Sequence, residues 1–155
     1  MGLKDIRRFV EMVERLFARW GYSHTDAKVY AYLLLSEEPL TINDLVELTN
    51  LSRSSISVSL SKLTKDYMVS VRKVGKTKYF YPIPAFLEKF LKQPEEMLER
   101  EILPLKELVK KLIDESDSED YQEKLSQILE DLANLECVLR KVIEIETGNM
   151  NCLNE

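Results

Sequence analysis

Residues 41–63, TINDLVELTNLSRSSISVSLSKL, constrain the fold of this chain more than any other stretch. Thr41 and Asp44 have the spacing of a helix-capping box, and Ser52 stands where it can cap a second helix. Asn50 lies between the two helical patterns, where a tight turn favours a residue that tolerates the left-handed conformation. The stretch therefore predicts two short helices joined by a tight turn.

The second of these helices has one apolar face and one face rich in hydroxyls. Ile56, Leu60 and Leu63, continued by Tyr67, have alternating helical spacing and predict the inner face. The outward face carries Ser54, Ser57, Val58, Ser61 and Lys65, with Arg53 and Lys62 at its margins. Serine is a mediocre helix former, so we interpret this face as a contact surface, with a plain solvated face as the alternative. Short hydroxyls let a helix approach DNA closely and can bind phosphates or base edges.

A basic hairpin is predicted after this helix. The runs MVSVRKV and TKYFYPI flank Gly75 and Lys76 and have the residue types of two paired strands. Its basic side chains are Arg72, Lys73, Lys76 and Lys78, and its apolar faces carry Val71, Val74, Tyr79 and Tyr81. Two helices and a hairpin in this order predict a winged helix-turn-helix. Its second helix would enter the major groove of DNA, and its hairpin, the wing, would lie on the backbone or reach a minor groove.

Charge is segregated along the chain. The 155 residues have a formal net charge of -5, yet the segment from Leu51 to Tyr81 contains seven basic residues and one acidic residue. A basic segment on an acidic chain is typical of a surface that binds phosphates. Chance variation of charge within a short window is the alternative.

Two further helices are predicted before this region. Ile6, Phe9, Val13, Leu16 and Trp20 indicate an amphipathic helix that ends at Gly21. The next helix would be capped by Ser23 or Thr25, would stop before Pro39, and would have an inner face of Ala27, Tyr30, Ala31 and Leu34. In the helix that begins at Thr41, the expected inner residues are Ile42, Leu45 and Leu48.

The C-terminal half is acidic and helical. One pattern consists of Leu98, Ile102, Leu105, Val109 and Leu112, with Pro104 expected to bend the helix. A second consists of Tyr121, Leu125, Ile128, Leu132, Leu135, Leu139 and Val142, whose four-three alternation is a coiled-coil signature. This stripe predicts pairing with a second copy of the chain, and packing on the first and fifth helices of the same chain is the alternative.

The stretch DAKVYAYLLLSEEPLTINDLVELTNLSRSSISVSLSKL and the wing VRKVGKTKYFYP together resemble the winged-helix core of the MarR superfamily, and most closely its GbsR-like branch. The pattern Ile56-Ser57-Val58-Ser59-Leu60 is similar to the hydroxyl-rich recognition helix of that branch. The tip VGKTK departs from MarR wings, which have several arginines and an Asp-Arg pair, and lysine fits a narrow groove less well than arginine. The resemblance implies a transcriptional regulator that forms homodimers through its N- and C-terminal helices.

The predicted fold is mainly α-helical with a small β-hairpin, a winged helix-turn-helix core flanked by N- and C-terminal dimerisation helices. The predicted parts are an N-terminal helix joining the dimerisation region (1–20), a DNA-binding domain (21–83), a helical dimerisation arm (84–147) and a polar tail (148–155).

The predicted function is sequence-specific binding of double-stranded DNA by a cytoplasmic homodimeric repressor, with recognition helix 52–66 and wing 70–81. Ser54, Ser57, Val58, Ser61 and Lys65 would read the duplex, and Arg53, Lys62, Arg72, Lys73, Lys76 and Lys78 would neutralise phosphates. The dimer would form through Leu125, Ile128, Leu132, Leu135, Leu139 and Val142. The alternative is a winged-helix protein-interaction module within transcription or chromosome machinery.

Other functional classes find little support in the sequence. It shows no glycine-rich phosphate loop, nucleophile motif or clustered histidines, so we predict no enzyme activity, no metal site and no cofactor. No apolar run reaches the length of a membrane span, and the first residues lack the pattern of a signal peptide. Cys137 and Cys152 indicate no disulfide framework, and a redox role for them is left open.

A small-molecule effector is also left open. The resemblance to the GbsR-like branch implies effectors such as choline, which bind in aromatic cages. Candidate cage residues are Phe17, Trp20, Tyr22, Tyr30 and Tyr32, although aromatic residues at helical spacing commonly belong to a core.

Overall fold

The computed structural model describes residues 2–147, with side chains for residues 2–145. This part of the chain contains α-helices, one antiparallel hairpin and one π-helical turn. The elements in order are α1 (Leu3–Ala18), α2 (His24–Leu35), α3 (Ile42–Thr49), α4 (Arg53–Lys65), β1 (Val69–Val74), β2 (Thr77–Pro82), α5 (Phe86–Met97), the π turn (Leu98–Ile102), α6 (Leu103–Glu115) and α7 (Glu119–Thr147). The mainly helical fold class with a small hairpin is confirmed. The predicted polar tail and Cys152 lie outside the described residues.

The chain divides into two compact units. The N-terminal unit, Met1–Ala85, contains α1 to α4 and the hairpin, and the C-terminal unit, Phe86–Glu155, contains α5 to α7.

Local capping chemistry places the helices of the N-terminal unit. Thr41 Oγ1 accepts a hydrogen bond from the Asp44 backbone N–H at 3.1 Å, and the Asp44 carboxylate accepts one from the Thr41 N–H at 2.9 Å. Asn50 adopts the left-handed conformation with φ of 59°. Ser52 caps α4 by accepting a hydrogen bond from the Ser55 N–H at 3.1 Å. The predicted capping box, turn and second cap are confirmed.

The core of this unit joins α1, α2, α3, α4 and the hairpin. Its fully buried large side chains are Phe17, Val29, Tyr30, Leu33, Leu45, Ile56, Leu63, Met68 and Val69. The predicted inner face of α1 is rotated, because Val10, Val13 and Phe17 are buried whereas Leu16 is exposed. The apolar pairs Phe9-Val10 and Leu16-Phe17 leave this rotation undetermined by spacing alone.

Leu48 is a second residue whose predicted burial is wrong. It is exposed, whereas Leu45 and Thr49 provide the buried positions of α3. Thr49 takes an inner position because its hydroxyl donates to the Leu45 carbonyl at 2.6 Å, which satisfies the buried polar group.

The end of α4 holds an aromatic residue in a strained conformation. The Met68 N–H donates to the Leu63 carbonyl at 2.9 Å and the Tyr67 N–H to the Thr64 carbonyl at 3.1 Å, the two bonds of a Schellman motif. Tyr67 occupies the left-handed position of this motif, with φ of 60°, where glycine is usual. Its side chain is 74% exposed, so the prediction that it belongs to the inner face is wrong.

Replacing Tyr67 with glycine is expected to stabilise the protein by about 0.5 to 1 kcal/mol. Removing the Cβ relieves roughly 1–2 kcal/mol of strain in the left-handed conformation. About 0.5–1 kcal/mol of this gain is lost, because glycine has more conformational entropy in the unfolded chain. Chemical denaturation of the two proteins would measure the difference. Tyr67→Phe is the matched control and should leave stability unchanged, and a less stable glycine variant would contradict the assignment of strain.

The C-terminal unit begins with helices that run through two prolines. Pro94 lies inside α5, and Pro104 is the second residue of α6. Pro104 has no N–H with which to bond the Arg100 carbonyl, and the backbone just before it forms the π turn, in which the Leu103 N–H bonds to the Leu98 carbonyl. The irregularity expected at Pro104 therefore takes the form of a π turn.

The predicted coiled-coil stripe of α7 is divided between the inside and the outside of the C-terminal unit. Leu125, Leu132 and Leu139 are buried, and the same core contains Leu98, Ile102 and Val109. Alternate members of the stripe, Tyr121, Ile128 and Leu135, are exposed. Leu125, Leu132 and Leu139 are thus corrected from dimer contacts to core residues, because they pack on the preceding helices of their own unit.

Candidate nucleic-acid interface

The outward face of α4 has the predicted composition. Ser54, Ser57, Ser61 and Lys65 are all exposed. Val58 lies among them with 71% of its side chain exposed, although it is apolar. An apolar side chain on an exposed, hydroxyl-rich helix face has the chemistry needed to contact the methyl group of thymine.

The hairpin turns one of its faces toward α4. Gly75 has φ of 64° in the two-residue loop, as tight hairpin loops require. Lys73 lies directly opposite Lys78, and Val71 lies opposite Phe80, all on one face. Val71, Lys78 and Phe80 line a groove of about 440 Å³ together with residues of α4 such as Ser57. We call this the inner face of the hairpin.

A second groove brings Lys73 and Lys78 close to the start of α4. It has a volume of about 320 Å³ and is lined by Thr41, Ile42, Asn43, Arg53, Lys73, Lys76, Thr77 and Lys78. Arg53 Nη1 donates a hydrogen bond to the Asn43 amide oxygen, which directs the guanidinium toward this groove. No acidic residue lines either inner groove.

The structure therefore gathers five basic side chains around the serine face of α4. We define the basic surface as Arg53, Lys65, Lys73, Lys76 and Lys78, all of which are exposed. Within residues 2–147 none of them forms an ion pair. Like charges directly opposite on paired strands are destabilising, so the Lys73–Lys78 pair favours an anionic partner.

Arg72 is placed away from the basic surface. It lies opposite Tyr79 on the other, outer face of the hairpin. This face lines a groove of about 710 Å³ with Tyr81 and with Glu37 and Glu38 of the α2–α3 loop. The predicted phosphate contact of Arg72 is therefore on the wrong face to act together with Lys73 and Lys78.

Lys62 is already engaged within the protein. Its ammonium lies 3.2 Å from Asp26 Oδ2 and 4.8 Å from the centre of the Tyr22 ring. Asp26 also accepts a hydrogen bond from the Ser59 hydroxyl at 2.7 Å. Burial acts to raise the pKa of Asp26, but hydrogen bonds from Ser59, Ser23 and Lys62 outweigh it and hold that pKa below its ordinary value.

Asp26 and Ser59 are polar partners that the sequence analysis missed. Ser59 lies three residues after Ile56 and four before Leu63, so its spacing places it on the inner face of α4. The inner position of Ser59 is the sequence signal for such a contact, because a buried serine needs a hydrogen-bonding partner.

Four of the five aromatic residues considered as a ligand cage, Phe17, Trp20, Tyr22 and Tyr30, instead pack on one another around Phe17. The Phe17 ring makes edge or tilted contacts with Trp20, Tyr22 and Tyr30, with ring centres 5.0, 5.6 and 5.2 Å apart. The Tyr30 hydroxyl donates to the Ile83 carbonyl at 2.7 Å, and burial raises the pKa of Tyr30 to about 12. Phe17 and Tyr30 are fully buried and leave no open cage between them.

Comparison with known proteins agrees with this geometry. Residues 17–85 match the family model described as "Sugar-specific transcriptional regulator TrmB". Over these residues the N-terminal unit is similar to the TrmB family. The match runs from Phe17 in α1 to Ala85 and includes α4 and the hairpin. It names TrmB and leaves the resemblance to the GbsR-like branch unconfirmed.

Two solved structures are similar to this chain. One, described as "Crystal Structure of a transcriptional regulator", is 17% identical, covers 94% of this chain and 99% of its own, and has a TM-score of 0.52. Another, described as "Crystal structure of MarR/EmrR family transcriptional regulator from Acinetobacter sp. ADP1", is 16% identical, covers 83% and 85%, and has a TM-score of 0.41. The first shares the fold across both units. No curated protein matches the sequence.

Membrane-spanning helices and metal-binding clusters are both absent from the described residues. None of the helices found there is long and apolar enough to cross a membrane. The same residues contain no group of three or more histidine, cysteine, aspartate or glutamate side chains placed to hold a metal ion.

Proposed function

We propose that this chain is a sequence-specific regulator of transcription that binds double-stranded DNA through α4 and the inner face of the hairpin. The observation that carries the proposal is the basic surface, five exposed cations around the serine face of α4 that have no ion-pair partner in the described part of the chain. Phosphate contacts supply most of the affinity of such proteins, and base contacts supply the specificity. The chemistry of this surface fits phosphate binding and not catalysis, so we propose a regulator rather than an enzyme.

The residues on this surface have separate roles in the proposal. Ser54, Ser57, Val58 and Ser61 would contact base edges in the major groove, and Lys65, at the end of the same face, would contact a phosphate instead of a base. Arg53, Lys73, Lys76 and Lys78 would contact phosphates on either side of that groove. Lys62 and Arg72 leave the predicted phosphate-binding set because of their positions.

We also propose that the regulator is a homodimer formed through an exposed stripe on α7. This second stripe consists of Tyr121, Ile128, Leu135, Val138, Val142 and Ile145, of which five are exposed and Val142 is half-buried. At 100° per residue its mean direction lies about 75° around the helix from that of the buried stripe of Leu125, Leu132 and Leu139. An apolar stripe of this length is an expected interaction surface, and two-fold symmetry would present two α4 helices to successive major grooves.

The remaining parts of the functional prediction follow from this assembly. A dimer that covers its DNA site excludes other proteins from it, which makes repression the simplest outcome, and a regulator of DNA acts in the cytoplasm. The predicted domain boundaries, including an N-terminal helix at 1–20 that joins the dimer, remain part of the proposal. So does the closer relation to the GbsR-like branch.

The outer face of the hairpin is our proposed position for an effector. Its groove of about 710 Å³ has the size of small-molecule sites and combines two tyrosines with Arg72, Glu37 and Glu38. The description of the matched family names sugars, so sugars are the first compounds to test.

Fluorescence-anisotropy titration tests the function directly. The protein would be titrated with its own upstream intergenic DNA and with a scrambled duplex at several salt concentrations. Five phosphate contacts per protomer predict that the logarithm of affinity falls by roughly 4 to 5 per tenfold increase in salt, and about twice that for a dimer.

Two matched variants locate the binding surface in the same assay. Lys65→Met should reduce that slope by about one per protomer, whereas Lys111→Met, an exposed lysine of α6, should not change it. Absence of binding to both duplexes at low salt would overturn DNA binding and favour the protein-interaction alternative.

A further inference from the structure

A buried carboxylate connects α4, the second helix of the helix-turn-helix, to α2, the helix that precedes it. Asp26 is only 5% exposed, although it is charged. Its Oδ1 accepts the Ser59 hydroxyl at 2.7 Å, and its Oδ2 lies 3.2 Å from Lys62 Nζ and accepts the Ser23 N–H at 3.2 Å. The three side chains of Asp26, Ser59 and Lys62 form what we call the Asp26 bridge between α2 and α4.

Tyr22 extends this bridge along α4. The Lys62 ammonium lies over the Tyr22 ring, and the Tyr22 hydroxyl donates to Asp66 Oδ2 at 2.6 Å. Ser59, Lys62 and Asp66 are three and four residues apart, so they lie on one side of the α4 backbone. Polar contacts on two successive turns therefore fix α4 to the start of α2.

The bridge lies next to the residues proposed to read DNA. A groove of about 500 Å³ is lined by Ser23, Thr25, Asp26, Ser54, Ser55, Val58, Ser59 and Lys62. The same groove thus contains Ser54 and Val58, which face the duplex in the proposed complex, and the Asp26 carboxylate. An unneutralised carboxylate at this position would repel the phosphates of an approaching duplex.

We propose that Lys62 is a positioning residue that holds α4 at its angle to α2 and neutralises Asp26, and that it is not a phosphate ligand. This inference rests on the proposed DNA binding. Lys62 keeps its contact with Asp26 in the complex, so it releases no counterion when DNA binds. The exposed lysines of the basic surface differ from it, since they have no partner within the described residues.

Salt-dependent binding separates a positioning lysine from a phosphate ligand. Lys62→Met is expected to weaken binding about tenfold at moderate salt while leaving the salt slope unchanged. Lys65→Met, three residues along the same helix, is the matched control and should lower the slope by about one per protomer. Circular dichroism and denaturation of each variant would establish that it folds.

A second-site variant sharpens the test. Asp26→Asn added to Lys62→Met removes the carboxylate that Lys62 had neutralised, while the amide oxygen can still accept the Ser23 N–H and the amide NH2 can donate to the Ser59 hydroxyl oxygen. The double variant should therefore bind DNA within about threefold of the wild type and keep the wild-type salt slope, whereas loss of a phosphate ligand would leave that slope lower by about one per protomer.

Each outcome decides one of the two proposals. A lower salt slope in Lys62→Met, unchanged affinity in that variant, or no recovery in the double variant would overturn the positioning role while leaving DNA binding intact. Wild-type protein without salt-dependent binding would overturn the proposed function itself and this role with it.

Discussion

Replacing Lys73 with glutamate is expected to weaken DNA binding about a hundredfold while stabilising the hairpin. Juxtaposing like charges in an interface costs several kcal/mol, and each tenfold loss of affinity corresponds to about 1.4 kcal/mol. In the free protein the new carboxylate would face Lys78 directly, and an opposite-charge pair across two strands contributes about 0.2–1 kcal/mol. Anisotropy titration and thermal denaturation of the same samples would measure both effects.

Arg72→Glu is the control for this prediction, because it makes the same change in charge at the neighbouring residue. Arg72 lies on the outer face of the hairpin, where the charge is separated from the duplex by the strands and screened by salt. Its affinity for DNA should stay within about threefold of the wild type. Equal losses in the two variants would show that net charge alone governs binding and would contradict the assignment of the inner face.

Introducing glutamate at both Ile128 and Leu135 is expected to convert the proposed dimer into monomers at micromolar concentration. Both side chains are exposed within the C-terminal unit, so the substitutions leave the buried stripe of α7 intact. Two carboxylates buried without partners in an interface should weaken dimerisation by about a hundredfold or more, since each costs several kcal/mol. Sedimentation velocity would measure the association state of the variant.

Cys137→Glu is the matched control on the same helix. Cys137 is exposed, and its position on α7 faces away from the second stripe. This variant should remain a dimer. A double variant that still dimerises, or a control that does not, would exclude the second stripe as the interface. If the dimer is required for operator binding, only the double variant should bind a two-half-site duplex no better than a single half-site.

The parts of the fold that local chemistry determines could be read from the sequence. A capping box needs only two side chains at fixed spacing, so Thr41 and Asp44 located the start of α3 without knowledge of its surroundings. Asn50 likewise indicated a left-handed turn, and Gly75 indicated a tight hairpin loop. These features depend on residues within one turn of each other.

Features that depend on a distant partner could not be read in this way. Phe17 rather than Leu16 enters the core because the aromatic residues of α2 and the α1–α2 turn pack on it. By spacing alone, either Leu125 or Ile128 could be the buried residue. Leu125 is the buried one because it packs in the core formed with the π turn and α6. Tyr67 was expected in the core because its spacing continues that of Leu63, although the helix ends before it.

The candidate site shows the same limit. Alternation along a strand places Arg72 and Lys73 on opposite faces, yet it does not say which face meets α4. Likewise, in the sequence Lys62 is one of the seven basic residues between Leu51 and Tyr81, and nothing distinguishes it from the others. Only the fold brings Asp26 within 3.2 Å of it.

The two stripes of α7 also have a mechanical consequence. They are carried by one continuous helix, so any rotation of α7 that repacks Leu125, Leu132 and Leu139 also turns the second stripe by the same angle. In the proposed dimer, the packing inside the C-terminal unit and the angle at which two copies of α7 pair would therefore change together. A methyl group gained or lost in the core of this unit would alter the angle between the two copies of α7.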